Sequence, residues 1–218
     1  VHLFTRTWAA LHAAITALPE ADFAKPSGCR GWLVRDLLCH LIINAQDVLI
    51  TLVTPADTEP TRDAITYWTV TDEPPTGEAP EDAVTVRLAA AYEDPALLRG
   101  HLDDVGSAAG RAAELADLRM RVSTQDMVLT VDDFLLVYVL EWTLHHLDLI
   151  AHVPTVAGPP AEGLARTREM LEKITGAVFP ASFSDTDVLL VATGRRTPTG
   201  AETAALGDLA ARLPFVLG

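Results

Sequence analysis

Two stretches of the chain set ionisable side chains into otherwise apolar helical patterns, "RDLLCHLIINAQD" at 35–47 and "EWTLHHLDL" at 141–149. At about 100° per residue, Phe134, Tyr138, Glu141, His145, Asp148 and His152 share one sector of the later helix, and His146 points roughly 100° away from His145. Glu141 and His145 are therefore neighbours one turn apart. On the earlier helix His40 and Asn44 stack at i and i+4 beside Leu37, Leu41 and Val48, flanking the face that must meet a core. A carboxylate and imidazoles converging in a helical interior need a partner, and a divalent cation supplies one. Three nitrogen and oxygen ligands with an open position is the pattern of a catalytic zinc site, whereas structural zinc prefers four closed ligands with cysteine. The spacing alone leaves open a blander arrangement, in which a hydrogen-bonded core histidine simply pairs with a buried glutamate.

The elements that must position these residues follow from hydrophobic period and punctuation. Phe4, Trp8, Leu11, Ile15 and Leu18 form the stripe of a first helix ended by Pro19. After the turn-rich "KPSGCRG", a second helix runs over 34–53 until Pro55, with Asp36 suited to its N-terminal dipole. Residues 54–80 read as a long surface connection pinned by Tyr67 and Trp68. A third helix begins at Glu81, breaks at "EDPALL", where Asp94 caps and Pro95 occupies the first turn, and resumes to Ala116. An extended stretch or small hairpin precedes Thr130, which with Asp133 caps a fourth helix ended by Pro154, roughly 33 Å long. Beyond it, 161–178 is helical, and Ser184 and the Thr199/Glu202 pair mark two shorter helices ending near Leu213. The expected fold is all-α: an antiparallel four-helix bundle over 1–178 and a short helical appendage over 179–218.

Composition narrows the function. The 218 residues are 49% hydrophobic, enough for a packed core. A formal charge of -14 and a pI near 4.7 argue against nucleic-acid and anionic-membrane surfaces. The two cysteines, Cys29 and Cys39, and the absence of a secretory pattern predict a cytoplasmic protein with free thiols. The apolar run at 42–53 is interrupted by Asn44, Gln46 and Asp47 and is too short to span a bilayer. No phosphate-cradling Gly-rich loop, G-x-S-x-G elbow or Cys-x-x-Cys is present. Cys39 adjoins His40 but points about 100° away around the helix, and His12 reads as a packed or half-exposed side chain. His2, His101 and His146 have no identifiable partners in the sequence.

"GWLVRDLLCHL" followed far downstream by "EWTLHHLDL" resembles the mycothiol-dependent maleylpyruvate isomerase group of the DinB-like four-helix bundles. That group carries G-W-x-V-R-D-L-x-x-H-L on its second helix and E-x-x-x-H-x-x-D-L on its fourth. The resemblance spans roughly residues 1 to 175 in order of elements, and the two motifs are its specific part. It implies that His40, Glu141 and His145 hold a divalent metal, with zinc the leading expectation. Asp148 would orient a ligand and, with Tyr138, belong to the catalytic groups, while Asn44 and Arg195 would contact substrate. Mycothiol would bind the metal as thiolate and attack a small electrophile, in S-transfer or isomerisation; self-association into a homodimer is left open. Two departures stand out. Leu33 replaces the capping Thr or Ser of many relatives. The isomerase proper has a C-terminal α/β domain that supplies a catalytic arginine, whereas the tail here is short and helical, leaving Arg195 or Arg196 to stand in. Two alternatives remain: a thiol-independent metal hydrolase or lyase, and a non-catalytic bundle stabilised by its metal that serves in binding.

Overall fold

The apolar stripe at the N-terminus forms α1 (His2–Thr16), on which Phe4, Trp8, Leu11 and Ile15 are all buried. The structure is a computed structural model and describes residues 1–73, 80–153 and 156–218. A 3-10 turn (Glu20–Ala24) leads to α2 (Val34–Leu52). Leu33 offers no side-chain cap, but the Asp36 carboxylate accepts from the Leu33 N–H at 2.8 Å, so the helix start keeps a negative partner. Beyond β1 (Val70–Thr71), the expected broken helix is α3 (Pro80–Ala91) and α4 (Pro95–Leu115). Asp94 accepts from the Ala96 N–H at 2.8 Å, with Pro95 in the first turn. The expected hairpin is β2 (Arg121–Thr124) paired antiparallel with β3 (Met127–Thr130). Its two turn residues, Gln125 and Asp126, both take positive φ, 47° and 62°, the backbone that a tight hairpin of matching twist requires.

From there α5 (Val131–Ile150) opens with the Thr130 hydroxyl accepting from the Asp133 N–H at 3.1 Å. It ends at Ile150 rather than running to 153; Pro154, expected to stop it, lies outside the described residues. α2 packs on α3, α4 and α5, and α1 packs on α4 and α5, closing an antiparallel four-helix bundle in which α3 and α4 act as one broken member. Trp142 sits at its centre, with ring centroids 4.6 Å from Phe4 and 4.7 Å from Trp8. α1 and α4 approach closely because Gly106 has no side chain; a Cβ there would lie 1.8 Å from Trp8 Cζ2.

The tail continues as α6 (Ala161–Thr175), α7 (Asp185–Ala192) and α8 (Gly200–Leu206). Ser184 and Thr199 cap the last two as expected. Met170, Leu171, Val188 and Leu189 form a second core with Leu140, Leu144 and Leu147 of α5. α5 is thus covered on both sides, which is why its sequence is apolar nearly all round. The chain then doubles back, and β4 (Val216–Leu217) pairs antiparallel with β1, Val70 opposite Leu217. Among the described residues no helix is long and apolar enough to cross a membrane.

Candidate metal centre and its cavity

The loop before α2 positions the site. The Gly28 N–H donates to the Asp148 carbonyl at 2.8 Å, and a Cβ on Gly28 would lie 2.6 Å from Asp148 Oδ1, so only glycine lets this loop rest on α5. Within the loop the Ser27 hydroxyl donates to the Trp32 carbonyl at 2.9 Å and accepts from the Cys29 N–H at 3.2 Å. The Trp32 N–H donates to the Cys29 carbonyl at 3.1 Å across a turn whose third residue, Gly31, has φ +80°. With the loop docked, α2 and α5 bring their ionisable residues together.

Glu141 Oε1 lies 3.4 Å from His40 Nε2 and 3.1 Å from His145 Nε2. The two imidazole rings stand edge to face, with centroids 4.8 Å apart. One ligand atom from each of His40, Glu141 and His145 lies within 4.8 Å of the others, a spacing that one ion can bridge. The Asn44 amide nitrogen is 3.3 Å from both Glu141 Oε1 and His40 Nε2. On the far side of the ring, His145 Nδ1 is 3.0 Å from Asp148 Oδ2, and Arg195 grips both Asp148 oxygens, Nε to Oδ1 and Nη2 to Oδ2, at 2.8 Å each.

This chain of contacts fixes the donor set. Burial raises the Asp148 carboxyl, but Arg195 and His145 outweigh it and hold it well below the usual range. An ionised Asp148 takes the Nδ1–H of His145, which turns the ring's Nε2 towards the Glu141 carboxylate. Neutral at Nε2, the ring would set one acceptor against another at 3.1 Å, so the gap calls for a proton or a cation. The remaining shifts agree. Burial raises the Glu141 carboxyl, yet His145 and His40 hold it well below its ordinary value. Burial lowers His145, yet Glu141 and Asp148 carry it well above its own. A proton on His145 Nε2 satisfies these contacts, and the three donor atoms also fit a divalent cation of nitrogen and oxygen preference.

A cavity of about 390 Å³ opens beside these groups. His40, Glu141 and His145 line it from the bundle, and Arg195, Phe215 and Leu217 line it from the tail. The family model of the mycothiol maleylpyruvate isomerase N-terminal domain matches residues 4–150. The chain belongs to this family. Comparison with curated proteins and with solved structures gave no match.

The part that matches the isomerase N-terminal domain carries His40, Glu141, His145 and Asp148, while Arg195 comes from the tail beyond it. The structure brings these five residues together, with Asn44 touching two of the three candidate ligands. Tyr138 is placed differently: its hydroxyl donates to Asp47 Oδ2 at 2.6 Å, and the residue is not part of the cavity wall. Burial, with Asp47 beside it, pushes the Tyr138 hydroxyl well above its ordinary pKa. Arg196, the other tail arginine, ties Asp187 to Glu202. His152 is exposed, Cys39 is buried in the bundle, and His12 is half-exposed beside Asp103 at 2.9 Å. His146 and His101 do have partners, the Ala157 carbonyl at 2.9 Å and the Tyr92 hydroxyl.

Sequence reasoning missed several wall residues. Cys29 Sγ lies 3.3 Å from Asp148 Oδ2 and 3.7 Å from His145 Nδ1, and burial pushes its thiol up. Trp32 lines the cavity with its ring 5.1 Å from His40, and Arg30 and Trp68 line it as well. The signal for Cys29 and Arg30 was their adjacency to the first motif, and Trp32 is that motif's second residue. Trp68 had none beyond being a large aromatic residue in a polar loop.

Proposed function

We propose that the chain is a metal-dependent enzyme in which a low-molecular-weight thiol, mycothiol, completes the metal sphere and attacks a small electrophile, in S-transfer or isomerisation. The observation that supports it is Glu141 Oε1 set against two imidazole nitrogens at 3.1 and 3.4 Å, on the wall of a cavity large enough for a small molecule. His40, Glu141 and His145 hold the ion, and zinc suits two imidazoles and a carboxylate. A divalent cation held there lowers the pKa of a coordinating thiol, so that thiolate forms near neutral pH.

The chain's own residues do the rest. Asp148 keeps the proton of His145 on Nδ1, leaving Nε2 for the ion, and Arg195 keeps Asp148 ionised. Asn44 donates its amide N–H to Glu141 Oε1 and holds the carboxylate in place. Leu144, Trp32 and Phe215 give the cavity apolar wall that limits water around the nucleophile. Tyr138 acts at one remove, by holding Asp47 on α2.

The test begins with protein purified without a metal-affinity tag or added metal, for which elemental analysis is expected to give close to one divalent ion per chain. His40→Ala is expected to lose the ion and all turnover while keeping its circular dichroism, because a bundle of this size is held mainly by apolar burial. Product formation from candidate electrophiles is then compared with and without mycothiol. Turnover independent of thiol would replace the proposal by a hydrolase or lyase. A saturated four-ligand ion without an exchangeable position, and no turnover, would make the bundle a binding protein.

A further inference from the structure

Three donors converge on one oxygen behind His145. Asp148 Oδ2 accepts from Arg195 Nη2 at 2.8 Å, from His145 Nδ1 at 3.0 Å and from the Cys29 thiol at 3.3 Å. The Cys29 sulfur is in turn 3.7 Å from His145 Nδ1. Sulfur, nitrogen and oxygen thus form a triangle with edges of 3.0, 3.3 and 3.7 Å. A tetrahedral ion with bonds of about 2.3 Å to sulfur and about 2.0–2.1 Å to nitrogen and oxygen sets its ligand atoms roughly 3.4–3.6 Å apart. The triangle is close to one face of such a coordination sphere, and it lies on the opposite edge of the His145 ring from Glu141.

All three residues line the cavity, so an ion entering it reaches them. The Cys29 backbone is held from both sides: its N–H donates to Ser27 Oγ at 3.2 Å, and its carbonyl accepts from the Trp32 N–H at 3.1 Å. Next to it the Gly28 N–H ties the loop to the Asp148 carbonyl on α5. A short side chain on so fixed a backbone keeps its sulfur beside Asp148. Arg195 need not leave, because its Nε keeps Asp148 Oδ1 at 2.8 Å when Oδ2 turns to an ion. Only the Nη2 contact is given up. A thiolate and a carboxylate then bring two negative charges to a divalent ion.

We propose that Cys29, His145 and Asp148 form a second cation site, selective for thiophilic divalent ions, that competes with the centre of His40, Glu141 and His145 for the His145 ring. Sulfur decides the choice of ion: a thiolate favours a soft cation, whereas imidazoles and a carboxylate suit a harder one. The shared imidazole makes the two sites alternatives. When an ion takes Nδ1, the thiol proton and the Nδ1 proton pass to solvent, and the ring's remaining proton sits on Nε2, donated to Glu141 Oε1 at 3.1 Å. The first centre then keeps only His40 and Glu141. A thiophilic ion in the second site thus switches the first one off. The second site stands whatever thiol or electrophile the cavity takes; its competition rests on the reading of His40, Glu141 and His145 as metal ligands.

The experiment uses the full chain with cadmium as the probe, first metal-free and then loaded with zinc. In the metal-free chain, stoichiometric cadmium is expected to produce the ultraviolet charge-transfer band of a cadmium–thiolate bond. The band should be lost in Cys29→Ser and kept in Cys39→Ser, with helical signal unchanged in both. Magnetic resonance of the chain with labelled histidine rings should place cadmium on Nδ1 of His145 and the proton on Nε2. No band, a band that survives in Cys29→Ser, or cadmium on Nε2 would overturn the site. Cys29→Ser is expected to bind as much zinc as wild type, and a lower zinc content would overturn the division of ions between the sites. Cadmium should release zinc from wild type and far less from Cys29→Ser at the same concentration. Zinc retained by wild type beside the cadmium band, or equal release from the two chains, would overturn the competition. A chain that shows cadmium on Nδ1 yet binds no zinc would count against the first centre and leave the second site standing.

Discussion

Replacing Arg195 with glutamine removes the two-pronged partner of a carboxylate that is only 1% exposed. What remains around Asp148 is the Nδ1–H of His145 at 3.0 Å and the Cys29 thiol at 3.3 Å. Removing one member of a buried ion pair costs about 3–5 kcal/mol, because the other charge stays behind without compensation. The Arg195 side chain is 21% exposed and borders the cavity, where water can reach the vacated space, so the lower end, about 3 kcal/mol, is expected. The pH dependence follows from the direction of the shift. Asp148 is held well below its unfolded value, so its contribution is full above the unfolded carboxyl pKa of about 3.9 and is lost as pH falls towards the folded one. In Arg195→Gln burial acts without the arginine, the folded pKa rises, and the gap to wild type narrows once the pH falls below the variant's folded pKa.

The assay is urea unfolding of wild type, Arg195→Gln, Asp148→Asn and the double variant, in chelator so that metal release does not enter. A coupling energy below about 1 kcal/mol at pH 7, or one that does not shrink once the pH falls below the variant's folded pKa, would refute the reasoning.

Gly106→Ala puts a Cβ 1.8 Å from the Trp8 ring, and overpacking of about 1–3 kcal/mol should exceed the gain of up to about 1 kcal/mol in helix propensity. The urea midpoint is expected to fall, and a rise would show that α1 and α4 are not packed this closely. Iodoacetamide on the native protein, read by mass spectrometry, should modify Cys29 on the cavity wall long before Cys39, whose buried thiol is pushed up to about 11 by burial and by Asp36. Equal labelling of the two would contradict the burial of α2.

The helical phase of α2 and α5 was legible because it needs only residue spacing: His40 with Asn44, and Glu141 with His145 and Asp148, meet as the 100° step requires. The caps at Asp94, Thr130, Ser184 and Thr199 were legible for a similar reason, since each is a local side-chain-to-backbone bond. Phase alone does not say what intercepts a side chain. Tyr138 lies on the sector expected, yet Asp47 of α2 takes its hydroxyl before it reaches the cavity. Contacts between irregular segments were invisible. Cys29 and Arg30 reach the site because Gly28 leaves room for Asp148, and β1 meets β4 through two residues apiece, too short for any period to show.

α5 also explains why ionisable groups sit in a buried helix at all. With the bundle on one side and the tail on the other, this helix has little face to give to water, and each polar group on it needs a partner from a different part of the chain. Glu141 meets α2, His146 meets the Ala157 carbonyl, and Asp148 meets both the loop at Gly28 and the tail at Arg195. The bundle core contains no residue beyond 156, whereas the cavity wall takes Arg195, Phe215 and Leu217 from the tail. Weakening the tail therefore acts first on the cavity and on the orientation of His145, and only afterwards on the bundle that holds His40 and Glu141 in place.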